Sequence, residues 1–236
     1  MRKLKIEATL LALASLCALA LVGALPMWPS HVLSVEGAPT GYDPLTIHEV
    51  DTVVAAALQA AGEASLSAVT TGAQELLLVE RHEVPKAVYA SGKWPRQGDV
   101  YHYDYATDTL IHTTVDVESG AVVGVERVQG VQLPLTEREK QRTLDLIQAD
   151  TALWTALSAR YHTITGEPLR GIEQLKVKVS VFYADVMPGR LNPAAQLCGQ
   201  HRCAQALLFT TEKTLLDLTP IVDLSQGAVV QTLGEE

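Results

Sequence analysis

Val115-Asp116-Val117-Glu118-Ser119-Gly120-Ala121-Val122-Val123 and Val222-Asp223-Leu224-Ser225-Gln226-Gly227-Ala228-Val229-Val230 are one phrase written twice in a single chain. In each copy two valine-rich runs flank an aspartate, two polar residues and a glycine. The aspartate can fold its carboxylate onto the turn amides and the glycine can take the positive φ that closes a short hairpin loop. Upstream of each phrase stands a second repeated signal, Pro44-Leu45-Thr46-Ile47-His48-Glu49 and Pro134-Leu135-Thr136-Glu137-Arg138-Glu139. A threonine followed three residues later by glutamate is a capping box, and it predicts a helix start. Two copies of a helix-then-sheet unit are therefore predicted, spanning 42–133 and 134–236.

The first helix follows from Val50, Val53, Val54, Ala57, Leu58 and Ala61, which recur at helical spacing with one apolar face. Strands over 76–81, 100–105, 110–117 and 121–128, rich in β-branched and aromatic residues, supply a sheet to cover it. In the second unit Leu144 and Ile147 carry the apolar face until Asp150 recaps the chain, and Leu153, Trp154, Leu157 and Tyr161 continue it. Strands are predicted over 175–183, 204–210, 214–218 and 228–232. The fold class is α+β, with each helix packed on an antiparallel four-stranded sheet.

A hydrophobic fraction of 47% against 19% charged residues describes a globular chain, and 236 residues give two units of ordinary size. The formal net charge of -9 argues against nucleic acid as a partner, because phosphate binding needs clustered Lys and Arg. Arg2, Lys3 and Lys5 precede an apolar run over 8–25, the pattern of an export signal. Residues 1–25 read as a signal peptide cut near Val22-Gly23-Ala24, or as a retained anchor that meets the membrane through residues 8–25, with Trp28 at the interface. Cys17 follows Leu16, whereas lipidation wants a small residue there. Residues 26–41, punctuated by Pro26, Pro29, Gly37, Pro39 and Gly41, read as a linker. The expected location is outside the cytoplasm, secreted or tethered.

Asp43-Pro44-Leu45-Thr46, Val84-Pro85-Lys86, Gly130-Val131-Gln132-Leu133-Pro134-Leu135, Gln148-Ala149-Asp150, Val181-Phe182-Tyr183 and Ile221-Val222-Asp223-Leu224 occur in an order that resembles the two small domains preceding the catalytic domain of copper amine oxidases. The resemblance covers residues 42–233 and implies two tandem cystatin-like domains. What that family uses for chemistry lies in a large β-sandwich domain for which this chain is too short. Its quinone forms from a tyrosine beside asparagine, and its copper sits on a His-x-His pair plus a third histidine. The one asparagine here is Asn192, in Leu191-Asn192-Pro193, and none of the seven histidines forms His-x-His. The chain alone is therefore not expected to be an enzyme, and no cofactor is expected. Scarce asparagine, a thermolabile residue, points to a heat-adapted source.

Among local features, Cys198-Gly199-Gln200-His201-Arg202-Cys203 stands out. Outside the cytoplasm the pair Cys198 and Cys203 is expected as a disulfide. The alternative is a copper(I) site on Cys198, His201 and Cys203, two thiolates and an imidazole. His102 and His112, joined by the turn Ala106-Thr107-Asp108-Thr109, could approach Asp104 as a two-histidine, one-carboxylate metal site in one hairpin register and not in the other. The competing reading makes both histidines solvated, with Tyr101, Tyr103 and Tyr105 packed inward or onto a partner. Glu80, Arg81, His82 and Glu83 read as the solvated exit of a strand. Gly62, Gly72, Gly92 and Gly98 are scattered and cradle no phosphate. Trp94, in Ser91-Gly92-Lys93-Trp94-Pro95, reads as loop packing or an exposed contact, and Trp154 as helix core. These readings converge on a binding or assembly module for a protein partner, an extracytoplasmic oxidase among the candidates. The alternatives are a copper-handling protein and an accessory subunit of a separate-chain amine oxidase.

Overall fold

The structure, a computed structural model, describes residues 42–61, 72–92 and 94–234, and these belong to one compact unit, Gly41–Glu236. The leader and linker read from residues 1–41 lie outside the described residues, as do Gly62 and Lys93. No helix among the described residues is long and apolar enough to cross a membrane.

Each half runs helix first, sheet second. Helix α1 (Ile47–Ala60) is followed by β1 (Gln74–Arg81), the short helix α2 (Lys86–Tyr89), β2 (Gln97–Asp104), β3 (Thr109–Asp116) and β4 (Val122–Gln129). The second half holds α3 (Glu137–Ala149), α4 (Thr151–Thr165), β5 (Lys176–Val181), β6 (Cys203–Phe209), β7 (Leu218–Asp223) and β8 (Ala228–Gly234). Both sheets are antiparallel meanders, ordered β1-β2-β3-β4 and β5-β6-β7-β8.

Both capping boxes form, with the Thr46 hydroxyl accepting from the Glu49 amide and the Thr136 hydroxyl from the Glu139 amide. Asp150 caps α4 by accepting from the Leu153 amide at 2.9 Å. The repeated hairpins are built alike. Asp116 accepts from the Ser119 amide and Asp223 from the Gln226 amide, each at 2.9 Å, while Gly120 and Gly227 take φ of +67 and +71°.

The strand expected over 214–218 is corrected. The third strand of the second sheet is β7, Leu218–Asp223, because Lys213 and Asp217 both take positive φ and bend the chain on either side of Thr214, Leu215 and Leu216. Leu216 is still fully buried, delivered to the core by a loop.

One face of the first sheet carries α1. Val53 and Ala57 pack on Val100 and Val115, and Gly98 leaves the room Val53 needs, since a Cβ there would meet it at 3.0 Å. The opposite face, near the β2–β3 turn, contributes Tyr103, Tyr105 and Leu110 to the large core of the second half, alongside Ile147, Leu157, Leu208 and Leu216.

Candidate functional site

Strand β4 is the outer strand of the first sheet, and all eight of its residues are exposed. Val122, Val123, Val125 and Val128 retain 38, 57, 37 and 39% of their surface. Valine suits a strand with a partner on its pleated surface, yet the outer side of β4 has none among the described residues. A long edge strand offers a row of backbone donors and acceptors to any incoming chain, and proteins normally blunt such edges.

The other three edges are blunted. Strand β1 bulges between Leu76 and Leu78, and its Glu75 carboxylate accepts from the Thr136 hydroxyl and the Arg138 guanidinium, both at 2.7 Å. Strand β5 presents Lys176 and Lys178 to solvent. Strand β8 is covered by the loop between β5 and β6: the Asn192 side-chain amide donates to the Val230 carbonyl at 2.7 Å, and Gln231 donates to the Arg190 carbonyl at 3.0 Å. Strand β4 also bulges, at Val123, and carries Glu126 and Arg127, but among the described residues no other segment is hydrogen-bonded along its outer side.

Beside β4, on the sheet face away from α1, lies a polar cluster. The Asp99 carboxylate accepts from His82 Nδ1 at 2.9 Å, His112 Nε2 at 2.9 Å and the Thr114 hydroxyl at 2.8 Å. Burial pushes the Asp99 carboxyl up, but these three hydrogen bonds together outweigh it and hold the group below the usual carboxylate range. Tyr101 stacks on the His112 ring at 4.4 Å, and Glu126 of β4 stands 3.8 Å from His112 Nδ1.

The register pairs His102 with Ile111 and Tyr101 with His112, so His102 and His112 face opposite sides of the sheet. The metal site imagined from His102, His112 and Asp104 is therefore not formed, and Asp104 caps the hairpin turn by accepting from the Ala106 amide. Neither histidine is simply solvated. His102 is fully buried on the helix side, both ring nitrogens without partners among the described residues, and burial lowers its pKa. Tyr103 and Tyr105 pack inward, as one reading had it. His82, read as part of a solvated strand exit, turns back to Asp99. Asp99 itself carried no sequence signal, since its partners lie 17 and 13 residues away and only the strand register brings them together.

Cys198 and Cys203 are joined as a disulfide. His201, between them, turns to the junction of the two halves: its Nδ1 is 2.6 Å from Asp223 and its Nε2 3.6 Å from Asp108, whose carboxylate also accepts from Ser225 and Tyr103. No group of three or more His, Cys, Asp or Glu among the described residues is arranged to hold a metal ion. Next along the chain, Arg202 is fully buried. It pairs with Glu139 and donates to Gln132 Oε1 and to the carbonyls of Leu133 and Pro134, at 3.0 to 3.1 Å. Sequence reading passed over this arginine, which ties β6 to the strip of chain joining the halves.

The entry of the chain into the first half is also fixed. Arg96 binds the Glu49 carboxylate and donates to the carbonyls of Asp43 and Pro44. Its hydrogen bonds lower the Glu49 pKa to about 2. Trp94 packs with Tyr42 and Tyr89, ring centres 4.8 and 5.0 Å away.

No protein-family model matches the chain, and no curated protein matches it by sequence. Solved structures do match by fold. A copper-containing benzylamine oxidase from Hansenula polymorpha superposes on 84% of the chain with a TM-score of 0.55 at 15% identity. The chain spans 30% of that enzyme's length. At this identity the likeness establishes a shared fold.

Proposed function

We propose that this chain is a binding or assembly module that works outside the cytoplasm, built of two cystatin-like units like those ahead of the catalytic domain in copper amine oxidases, and without enzymatic activity of its own. The observation that carries the reading is β4, an eight-residue edge with four exposed valines along whose outer side no other described segment is hydrogen-bonded. Recognition by strand addition uses such an edge: backbone hydrogen bonds supply affinity and alternate side chains supply specificity. The fold likeness to an oxidase several times longer is consistent with a unit that serves another domain or chain.

A test places a photo-crosslinking residue at Val123 in the full-length protein, expressed in its native cell. The expected result is a discrete crosslinked protein that disappears in Val125→Lys, a substitution on an exposed side chain that leaves the fold intact. A crosslink that survives Val125→Lys, or amine turnover by the purified chain, would overturn the reading.

The fold likeness also favours a second reading, an accessory subunit of an oxidase carried on another chain. It requires the crosslinked partner to hold oxidase activity that the isolated protein lacks. The copper-handling alternative requires Cys198 and Cys203 as thiolates, and the structure has them bonded to each other.

A further inference from the structure

Resting on the reading of β4 as a docking edge, its charges say what kind of strand it accepts. Glu126 lies across from His112 on the open face of the sheet, and Arg127 lies across from Ile111 on the helix face. Successive residues of a strand point to opposite sides, so the two charges address different faces of an incoming strand. The Arg127 side chain makes no hydrogen bond or ion pair among the described residues, although its charge helps lower the pKa of His102. Valines flank the pair on both sides, at 125 and 128.

A second copy of this chain is a poor match. Two β4 strands paired antiparallel about a two-fold axis keep their faces in common, so the register must centre on a residue. Centring on Glu126 or Arg127 sets like charges directly opposite, which is destabilising. Centring on Val125 brings Val123, at the bulge in the β3–β4 ladder, against Arg127 of the other copy. Centring on Val128 runs out at Gly130, whose φ of +73° ends the extended run.

We infer that β4 accepts a strand of a different protein, antiparallel, with the local order apolar, acidic, basic, apolar from N to C terminus. In that register the acid faces Arg127, the base faces Glu126, and apolar residues cover Val128 and Val125. Antiparallel addition continues the meander already present in the sheet.

The experiment titrates two synthetic peptides into the isotope-labelled full chain and follows the backbone amide signals of β4. One peptide reads Thr-Val-Thr-Val-Glu-Lys-Val-Thr-Val; the other exchanges its Glu and Lys. The expected result is about tenfold tighter binding of the first, from two opposite-charge cross-strand pairs replaced by like pairs, and a reversed preference in the Glu126→Lys/Arg127→Glu double variant. Equal binding of both peptides, with β4 signals still moving, would overturn the charge order and leave the docking edge standing. Movement of signals elsewhere only, or none, would overturn both. A concentration-dependent dimer abolished by Val125→Lys would replace the foreign strand with a second copy and overturn the inference.

Discussion

His102 carries two ring nitrogens to the helix-facing side of the first sheet, and neither finds a partner among the described residues. A buried imidazole without partners is held neutral, its pKa lowered by desolvation. Because the unfolded chain then binds the proton more readily, the stability linked to this residue is complete above the ordinary value of 6.5 and is lost as pH falls below it. His102→Leu removes both unpartnered atoms, so the variant is expected to equal or exceed the parent by about 1 kcal/mol at pH 7.5. Its advantage should widen toward pH 5, as urea unfolding at a series of pH values would show. Glu49 acts in a separate window. Its carboxyl, held at about 2 by Arg96, contributes stability present above 4.5 and lost on the way down to 2. A parent-like acid loss between pH 6.5 and 5 in His102→Leu would assign that arm to other residues.

At the scale of elements, the loop closed by Cys198 and Cys203 sets the start of β6 and aims His201 at Asp223. Closing so short a loop removes little entropy from the unfolded chain, so Cys198→Ser/Cys203→Ser is expected to cost about 2 kcal/mol in chemical unfolding. Binding at β4 should be unchanged by it. The helix starts and both repeated hairpins were legible because their signals are local: a capping box and an Asp-to-Gly turn specify themselves within a few residues. Strand β7 was not, since Pro220 within it argues against a strand. The ladder to β6 reaches only as far as Ile221, and Pro220 pairs on the other side with Thr232. The cluster around Asp99 was illegible for a different reason. Its members lie on or beside three strands, and hairpin register is a tertiary outcome. The bare edge at β4 could be read only in part, because valine runs mark strands but do not reveal which strand ends up outermost.

Taken as one body, the described residues join the two halves through a shared apolar cluster. Tyr103, Tyr105 and Leu110 of the first half belong to the same apolar cluster as Ile147 and Leu157 of the second. Arg202 and Glu139 lie buried at the same junction. Arg202 serves Glu139 and three further acceptors, so Arg202→Met leaves the buried Glu139 carboxylate without its counter-charge, and a loss of about 3 to 5 kcal/mol is expected. The two halves should therefore melt in one calorimetric transition, with Arg202→Met lowering it as a whole. Two resolved transitions in the parent would mean that the shared cluster contributes little. The grip of Arg96 on the carbonyls of Asp43 and Pro44 has a mechanical side as well. A pull on the chain ahead of Asp43 is passed through one guanidinium to β2, in the interior of the sheet, before it can unwind the first turn of α1. Arg96 works as the strain relief on a cable, so that load enters the molecule at an inner strand held by ladders on both sides, away from the edge at β4.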